Sequence, residues 1–326
     1  MTGRLCSAPR PLVFATVVPL FTSRHVYDAV PPERAVDAVR DAFVAYARGE
    51  WTMPPKVYVP AYPAGDFRAM PALGAGHALL KWVTSFPGNA AKGLPTVIGI
   101  VLVSSAEDGR LLAALDAGAV TALRTGAAAV LAAESLGRRG ATTAAVVGAG
   151  VNGEAAARTF TARGRPPLLW DVDEERARLV AARVGGRAAD RDEAFAADLL
   201  VTVTPGREVL LPEGALRPGQ HVSLMGADGP GKAEIAAAEL ARVRAFCDDW
   251  EQASHGGDLM QAVAAGLLHR DDVVQLGDVL AGTVAGRRAD SEITAFDSTG
   301  LAIQDLAIVL AALARRDELE LPIFEL

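Results

Sequence analysis

Ala144-Ala145-Val146-Val147-Gly148-Ala149-Gly150-Val151-Asn152-Gly153 decides the fold. Four small apolar residues read as a buried strand, and the three glycines have the G-x-G-x-x-G spacing. In a chain with 32 glycines that spacing alone says little. The surroundings strengthen it. A helix is expected over Glu154 to Ala162, and a second strand, Leu168-Leu169-Trp170, ends at Asp171, about 20 residues beyond the first glycine. In such a unit Gly148 and Gly150 let the backbone turn tightly against a pyrophosphate at the positive end of the helix, with Val151 and Asn152 in its first turn. The carboxylate of Asp171 then accepts from ribose hydroxyls and repels a 2′-phosphate, which favours NAD over NADP.

Working outward, short apolar runs follow at Leu199-Leu200-Val201-Thr202-Val203, Val222-Ser223-Leu224-Met225 and Val243-Arg244-Ala245-Phe246. They alternate with helical stretches, and an Ala-rich helix from near Thr121 to Gly137 precedes them. The expectation is α/β: a Rossmann-type doubly wound, NAD-binding domain over residues 121–299. Residues 1–120 have a different texture. Pro31-Pro32-Glu33 opens a helix with Ala35, Val36, Val39, Phe43 and Val44 on one face, stopped by Gly49. Strand-like runs follow at Lys56–Val59, Phe67–Met70, Leu79–Val83, Thr96–Val103 and Leu111–Leu115, with a hairpin signal at Glu107-Asp108-Gly109. This predicts a smaller α+β domain built on a mostly antiparallel sheet. An amphipathic helix from Leu301 to Arg315 is expected to return to it, so that residues 300–326 complete it. The proline-broken run Pro11–Phe21 reads as a leader plus a buried strand rather than a signal peptide.

Across its 326 residues the chain is 51% hydrophobic and 22% charged, with a formal charge of -7. An acidic chain is a poor general nucleic-acid binder, so a small anionic ligand would need locally placed Arg or Lys. Cys6 and Cys247 form no CxxC, and no HExxH occurs, so neither a disulfide framework nor a metal site is expected. The expected setting is cytoplasmic. No stretch reads as long enough to span a bilayer.

Gly226-Ala227-Asp228-Gly229-Pro230-Gly231-Lys232 imitates a P-loop, but Ala233 cannot supply the hydroxyl that holds magnesium. The loop does face the carboxyl ends of the strands, where ligands bind in such sheets. Asp228 and Lys232 are therefore candidate site residues.

Further strings carry a resemblance. They are Met53-Pro54-Pro55-Lys56-Val57-Tyr58, Asp66-Phe67-Arg68-Ala69-Met70-Pro71, Lys81-Trp82-Val83-Thr84-Ser85-Phe86-Pro87 and Lys92-Gly93-Leu94-Pro95-Thr96-Val97. Leu123-Arg124-Thr125-Gly126, the 226–232 loop, Asp248-Asp249-Trp250 with His255-Gly256-Gly257-Asp258, and Phe296-Asp297-Ser298-Thr299-Gly300 continue them. In this order, over nearly the whole chain, they resemble the ornithine cyclodeaminase/mu-crystallin family, most closely its archaeal-type alanine dehydrogenase branch. The resemblance implies a homodimer acting with NAD on a small amino or imino acid, by removal of a hydride from the α-carbon. It places Lys56, Arg68, Lys81 and Arg124 around the substrate, with Lys81 and Asp228 catalytic. It places Thr96, Arg124, Thr125, Thr204, Met225, Lys232 and Ser298 on the cofactor.

Within that resemblance, Arg68 stands where cyclodeaminases carry Glu, and Lys56 where they carry Arg. Both choices match the dehydrogenase branch and argue against a diamino substrate. Phe86 replaces a His found in several relatives. The leading expectation is NAD-dependent oxidative deamination of a small L-amino acid. Its alternatives are a cyclodeaminase, a ketimine reductase, a biosynthetic amino-acid oxidoreductase, and a non-catalytic NAD(P)H-binding protein.

Overall fold

A computed structural model describes residues 17–206, 208–229 and 231–325. The first part of the chain runs β1 (Val17–Phe21), α1 (Ser23–Ala29), α2 (Pro32–Ala47), β2 (Val57–Ala61), β3 (Gly65–Gly74), β4 (His77–Ser85), β5 (Val97–Ser105) and β6 (Leu111–Asp116). Then follow α3 (Ala117–Leu136), β7 (Ala144–Val147), α4 (Val151–Ala162), β8 (Leu168–Trp170), α5 (Glu174–Val184), β9 (Arg187–Ala188), α6 (Arg191–Phe195), β10 (Leu199–Thr202) and β11 (His221–Leu224). The chain ends with α7 (Ala237–Leu240), β12 (Arg244–Cys247), α8 (Trp250–Gly256), α9 (Leu259–Ala264), β13 (Val273–Gln275), α10 (Leu276–Leu280), β14 (Thr294–Asp297), α11 (Ala302–Leu313) and β15 (Ile323–Glu325).

Two sheets result. The first, ordered β15-β1-β6-β5-β4-β3-β2, is antiparallel from β6 to β2, and β1 joins β6 in parallel. The second, ordered β13-β12-β14-β11-β10-β7-β8-β9, is parallel throughout. Its strands β7, β10 and β11 are buried on both faces, which is why they read as continuous apolar runs. The strand order reverses at β7, where doubly wound sheets open a crevice at their carboxyl ends.

Helix α3 joins the sheets. It packs against α2, α4, β5 and β11, and Asp116 caps it by accepting from the Ala119 N–H at 2.7 Å. The helix starts at Ala117, not near Thr121 as the pattern suggests, because an Ala-rich first turn gives no periodic signal. Contrary to the sequence reading, this stretch is long and apolar enough to cross a membrane by length and composition, at 20 residues and a mean hydropathy of 1.2. Some 83% of it is buried inside the protein, so here it serves as the central core helix.

Two strands were not read from the sequence, and one further expectation needs correction. The unread strands are Thr294–Asp297, which lies between β11 and β12, and β13. Both are too short for a period to show. Helix α11 is not amphipathic: its residues are buried on nearly every side, between α2, α3 and β3. Of the N-terminal run, Val17–Phe21 is the strand β1, while residues 11–16, like Cys6, lie outside the described residues.

Candidate active site

Strand alternation sorts the first sheet into two chemical faces. Along β4, Leu79, Lys81 and Val83 point inward and are buried, while Leu80 and Trp82 point outward and are exposed. Along β3 the inward set is Arg68, Met70 and Ala72. Met70 pairs with Lys81, and Arg68 with Val83, so two cations enter the interior from neighbouring strands. Lys56 arrives just ahead of β2. Arg124 comes from α3 and lies so close to Gly300 that a Cβ there would sit 2.2 Å from its Nη1, at a φ of +77° that also disfavours side chains.

These cations have unequal partners. Lys81, 1% exposed, donates from Nζ to Asp305 Oδ1 at 2.9 Å, and Arg124 Nε approaches the same oxygen at 3.6 Å. Burial pushes the Lys81 ammonium down to about 8, against the pull of Asp305. Lys56 donates to the Thr299 carbonyl at 2.7 Å, and burial lowers it as well to about 8, opposed by Asp248 and Asp228. Arg68 grips both oxygens of Asp66, at 2.6 and 3.3 Å, and reaches Asp228 Oδ2 at 2.6 Å. Lys232 donates to the other Asp228 oxygen at 2.5 Å. Burial would raise the Asp228 carboxyl, but Arg68 and Lys232 outweigh it and hold the group well below the usual carboxylate range.

Lys56, Arg68, Lys81, Arg124 and Asp228 line one cleft of about 450 Å³ between the two sheets. Thr96, Thr125, Asn152, Thr204, Met225, Lys232 and Ser298 line it too. Gly148, Gly150 and Val151 form the turn that opens α4, beside Asn152. There Gly148 has a φ of +102°, and a Cβ on Gly153 would lie 1.8 Å from the Gly148 carbonyl oxygen, so only glycine closes helix onto strand. Gly150 caps α4 without a side-chain hydrogen bond, and a Cβ on it would meet open space. Helix N-termini left uncapped in this way are suited to receiving a phosphate group. The buried Thr125 Oγ1 in the cleft likewise has no partner among the described residues.

Asp171 ends β8 beside this turn, but its carboxylate is occupied. It accepts from the Ala149 N–H at 2.7 Å, the Asp173 N–H at 2.9 Å and Arg176 Nη2 at 2.5 Å. Burial would raise it, and these donors hold it below the ordinary value. Arg176 is half-exposed, while the Asp171 side chain is nearly buried.

Sequence reasoning gave no role to three acids that organise the site. Asp305, fully buried, joins Lys81 to Arg124. Asp66 clamps Arg68. Glu234, also fully buried, accepts from Thr202 Oγ1, Thr204 N, Thr204 Oγ1 and Gly226 N within 2.7 to 2.9 Å, tying the loop after β10 to the loop after β11. The available signal was an isolated acid in an otherwise apolar stretch, as at Ile303-Gln304-Asp305-Leu306.

Comparison with known proteins gives the same picture. The profile of the ornithine cyclodeaminase/mu-crystallin family matches residues 21–316. Alanine dehydrogenase of Archaeoglobus fulgidus is 41% identical over 89% of this chain and 92% of that protein. Among solved structures, an archaeal alanine dehydrogenase dimer with bound NAD superposes with a TM-score of 0.89 at 37% identity, covering 95% of this chain and 99% of that one. The iminosuccinate reductase of Paracoccus denitrificans in complex with NAD+ gives 0.86 at 28%, covering 95% and 100%. With a shared profile over most of its length and the same two-sheet architecture, the chain belongs to the ornithine cyclodeaminase/mu-crystallin family.

Proposed function

We propose that this protein binds NAD and oxidises a small L-amino acid at its α-carbon, releasing the 2-oxo acid and ammonia. The observation that carries this reading is the placement of Lys56, Lys81 and Arg124 in one cleft with the α4 turn residue Asn152 and the β10 loop residue Thr204. A carboxylate in a partly dry site needs charge-assisted donors, and these three supply them. In this reading residues 1–120, completed by 300–326, bind substrate and form the dimer, and residues 121–299 bind the dinucleotide.

NAD, when bound, provides the acceptor for the hydride leaving the α-carbon. The protein's own residues do the rest. Lys56, Lys81 and Arg124 anchor the carboxylate and so orient the α-carbon. Asp228 takes the proton from the substrate ammonium, then activates the water that releases ammonia. While Arg68 and Lys232 grip it, Asp228 is a weak base. Part of its activation comes from an arriving carboxylate that draws Arg68 away. Thr204 and Met225, on loops joined through Glu234, contact the cofactor together with Thr96, Thr125 and Ser298.

The outward face of the first sheet supports the dimer. Trp82 stacks on Phe67 with ring centroids 5.7 Å apart, next to exposed Val57, Leu80, Ile98 and Ile100. Contiguous apolar surface of this kind marks an interface, and a second copy of the same sheet offers a matching face. A second substrate reading, an acidic amino or imino acid, has its own support. Lys56 donates to a carbonyl and Asp305 is shared by two cations, so the cations of the cleft are incompletely paired.

Three outcomes test these assignments. With NAD and L-alanine, absorbance and ammonia assays should show one NADH and one ammonia per amino acid consumed, with negligible turnover of L-ornithine. Proline formed from ornithine with catalytic NAD would replace this reading by a cyclodeaminase, and turnover confined to L-aspartate would favour the acidic substrate. Asp228→Asn should lower kcat by about 10²–10⁴-fold, with NADH affinity by fluorescence titration nearly intact. A variant keeping a tenth of the wild-type rate would remove Asp228 from the chemistry. Trp82→Glu should convert a dimer into a monomer in sedimentation velocity, and an unchanged dimer would place the interface elsewhere.

A further inference from the structure

Three buried atoms at one spot lack partners among the described residues: Asp305 Oδ2, Arg124 Nε and Gln304 Nε2. They surround the place where the first turn of α11 meets β4 and α3. Asp305 is fully buried, and one of its oxygens, Oδ1, serves both Lys81 at 2.9 Å and Arg124 at 3.6 Å. The Arg124 contact is beyond hydrogen-bonding reach, so the two cations share one acceptor unequally. Among the described residues Lys81 has this single hydrogen-bond partner, and its remaining ammonium protons are left for the cleft it lines.

From this geometry we infer that Asp305 is a positioning residue that keeps Lys81 protonated for the substrate carboxylate, with Arg124 working against it from the same oxygen. The groups facing Lys81 are Asp305 from α11, Arg124 from α3 and Arg68 from β3. Two of the three are cations, and burial also disfavours the ammonium. Asp305 is thus the one group among them that holds the charge in place. The inference deepens the proposed function, since it takes the Lys81 ammonium to be the anchor of the substrate carboxylate.

The two partners should act in opposite directions. Removing the Asp305 charge makes Lys81 lose its proton at lower pH. Removing Arg124 takes away a like charge and leaves Oδ1 to Lys81 alone, so the proton is kept to higher pH. A role limited to packing α11 against the sheet predicts neither shift.

The test reads Lys81 directly, whether or not the protein turns over a substrate. Competitive labelling with trace acetic anhydride across pH 6–10, followed by mass spectrometry of the Lys81 peptide, reports the fraction of free amine. The wild-type midpoint should fall near 8. Asp305→Asn should lower it by about one pH unit or more, Asp305→Glu should restore it, and Arg124→Gln should raise it. Should Asp305→Asn fail to fold, as judged by its thermal transition, the Arg124→Gln and Asp305→Glu midpoints still decide. A midpoint that falls or stays fixed in Arg124→Gln, or stays fixed in a folded Asp305→Asn, would overturn the inference. The same variants assayed for kcat/KM against pH should move their alkaline limb in parallel with the labelling. Labelling shifts without turnover of any amino acid would uphold the Asp305 role and refute the dehydrogenase reading instead.

Discussion

Positive side chains cannot be buried without anions to answer them, and the cleft between the two sheets is arranged around that demand. Lys81 and Arg124 depend on Asp305, Arg68 on Asp66 and Asp228, and Lys232 on Asp228. Stripping one partner from a buried pair costs about 3–5 kcal/mol, because it leaves a lone charge in a poor solvent. That is a large share of the roughly 5–15 kcal/mol that holds a domain folded. The pairing is nevertheless incomplete. Lys56 is left with a carbonyl, and two cations share one oxygen of Asp305. In the proposed function, an arriving carboxylate completes a set of interactions that the protein alone leaves short.

The two sheets contribute different things to this arrangement. The antiparallel sheet sorts its residues by alternation, so that Lys81 and Arg68 face the cleft while Trp82 and Phe67 form an apolar outer surface. The parallel sheet offers loops at the carboxyl ends of its strands, with the α4 turn at the switch point. Glu234 fixes two of these loops to each other, and Asp258 accepts from the Glu234 N–H, so the second sheet rests on buried acids as well. Burial, joined by the charge of Glu234, pushes the Asp258 carboxyl up from its ordinary value.

The legible parts of the sequence were those with a local signal. Gly148, Gly150 and Gly153 announced a tight turn because their role is in the backbone, and the apolar runs of β7 and β10 announced strands buried on both faces. Lys56, Lys81, Arg124 and Asp228 could be named individually, and the fold brings them to one cleft. Asp305 and Glu234 were not foreseen, since their importance lies in what approaches them from elements far away in the chain. Asp171 was placed correctly at the end of β8, but its pairing with Arg176, five residues on, depends on a side-chain choice that spacing cannot report. Strand β14 escaped because four residues ending in a buried Asp carry too little pattern.

A crystal structure of the protein with NADH and pyruvate would test the central claim most directly, because it locates a substrate-like carboxylate without relying on turnover. The account predicts that carboxylate within about 3 Å of the donors of Lys56, Lys81 and Arg124, with Arg68 drawn away from Asp228 and the pyrophosphate on the amides at Gly150 and Val151. Pyruvate bound outside the cleft between the sheets, or in it with its carboxylate turned away from all three cations, would contradict it.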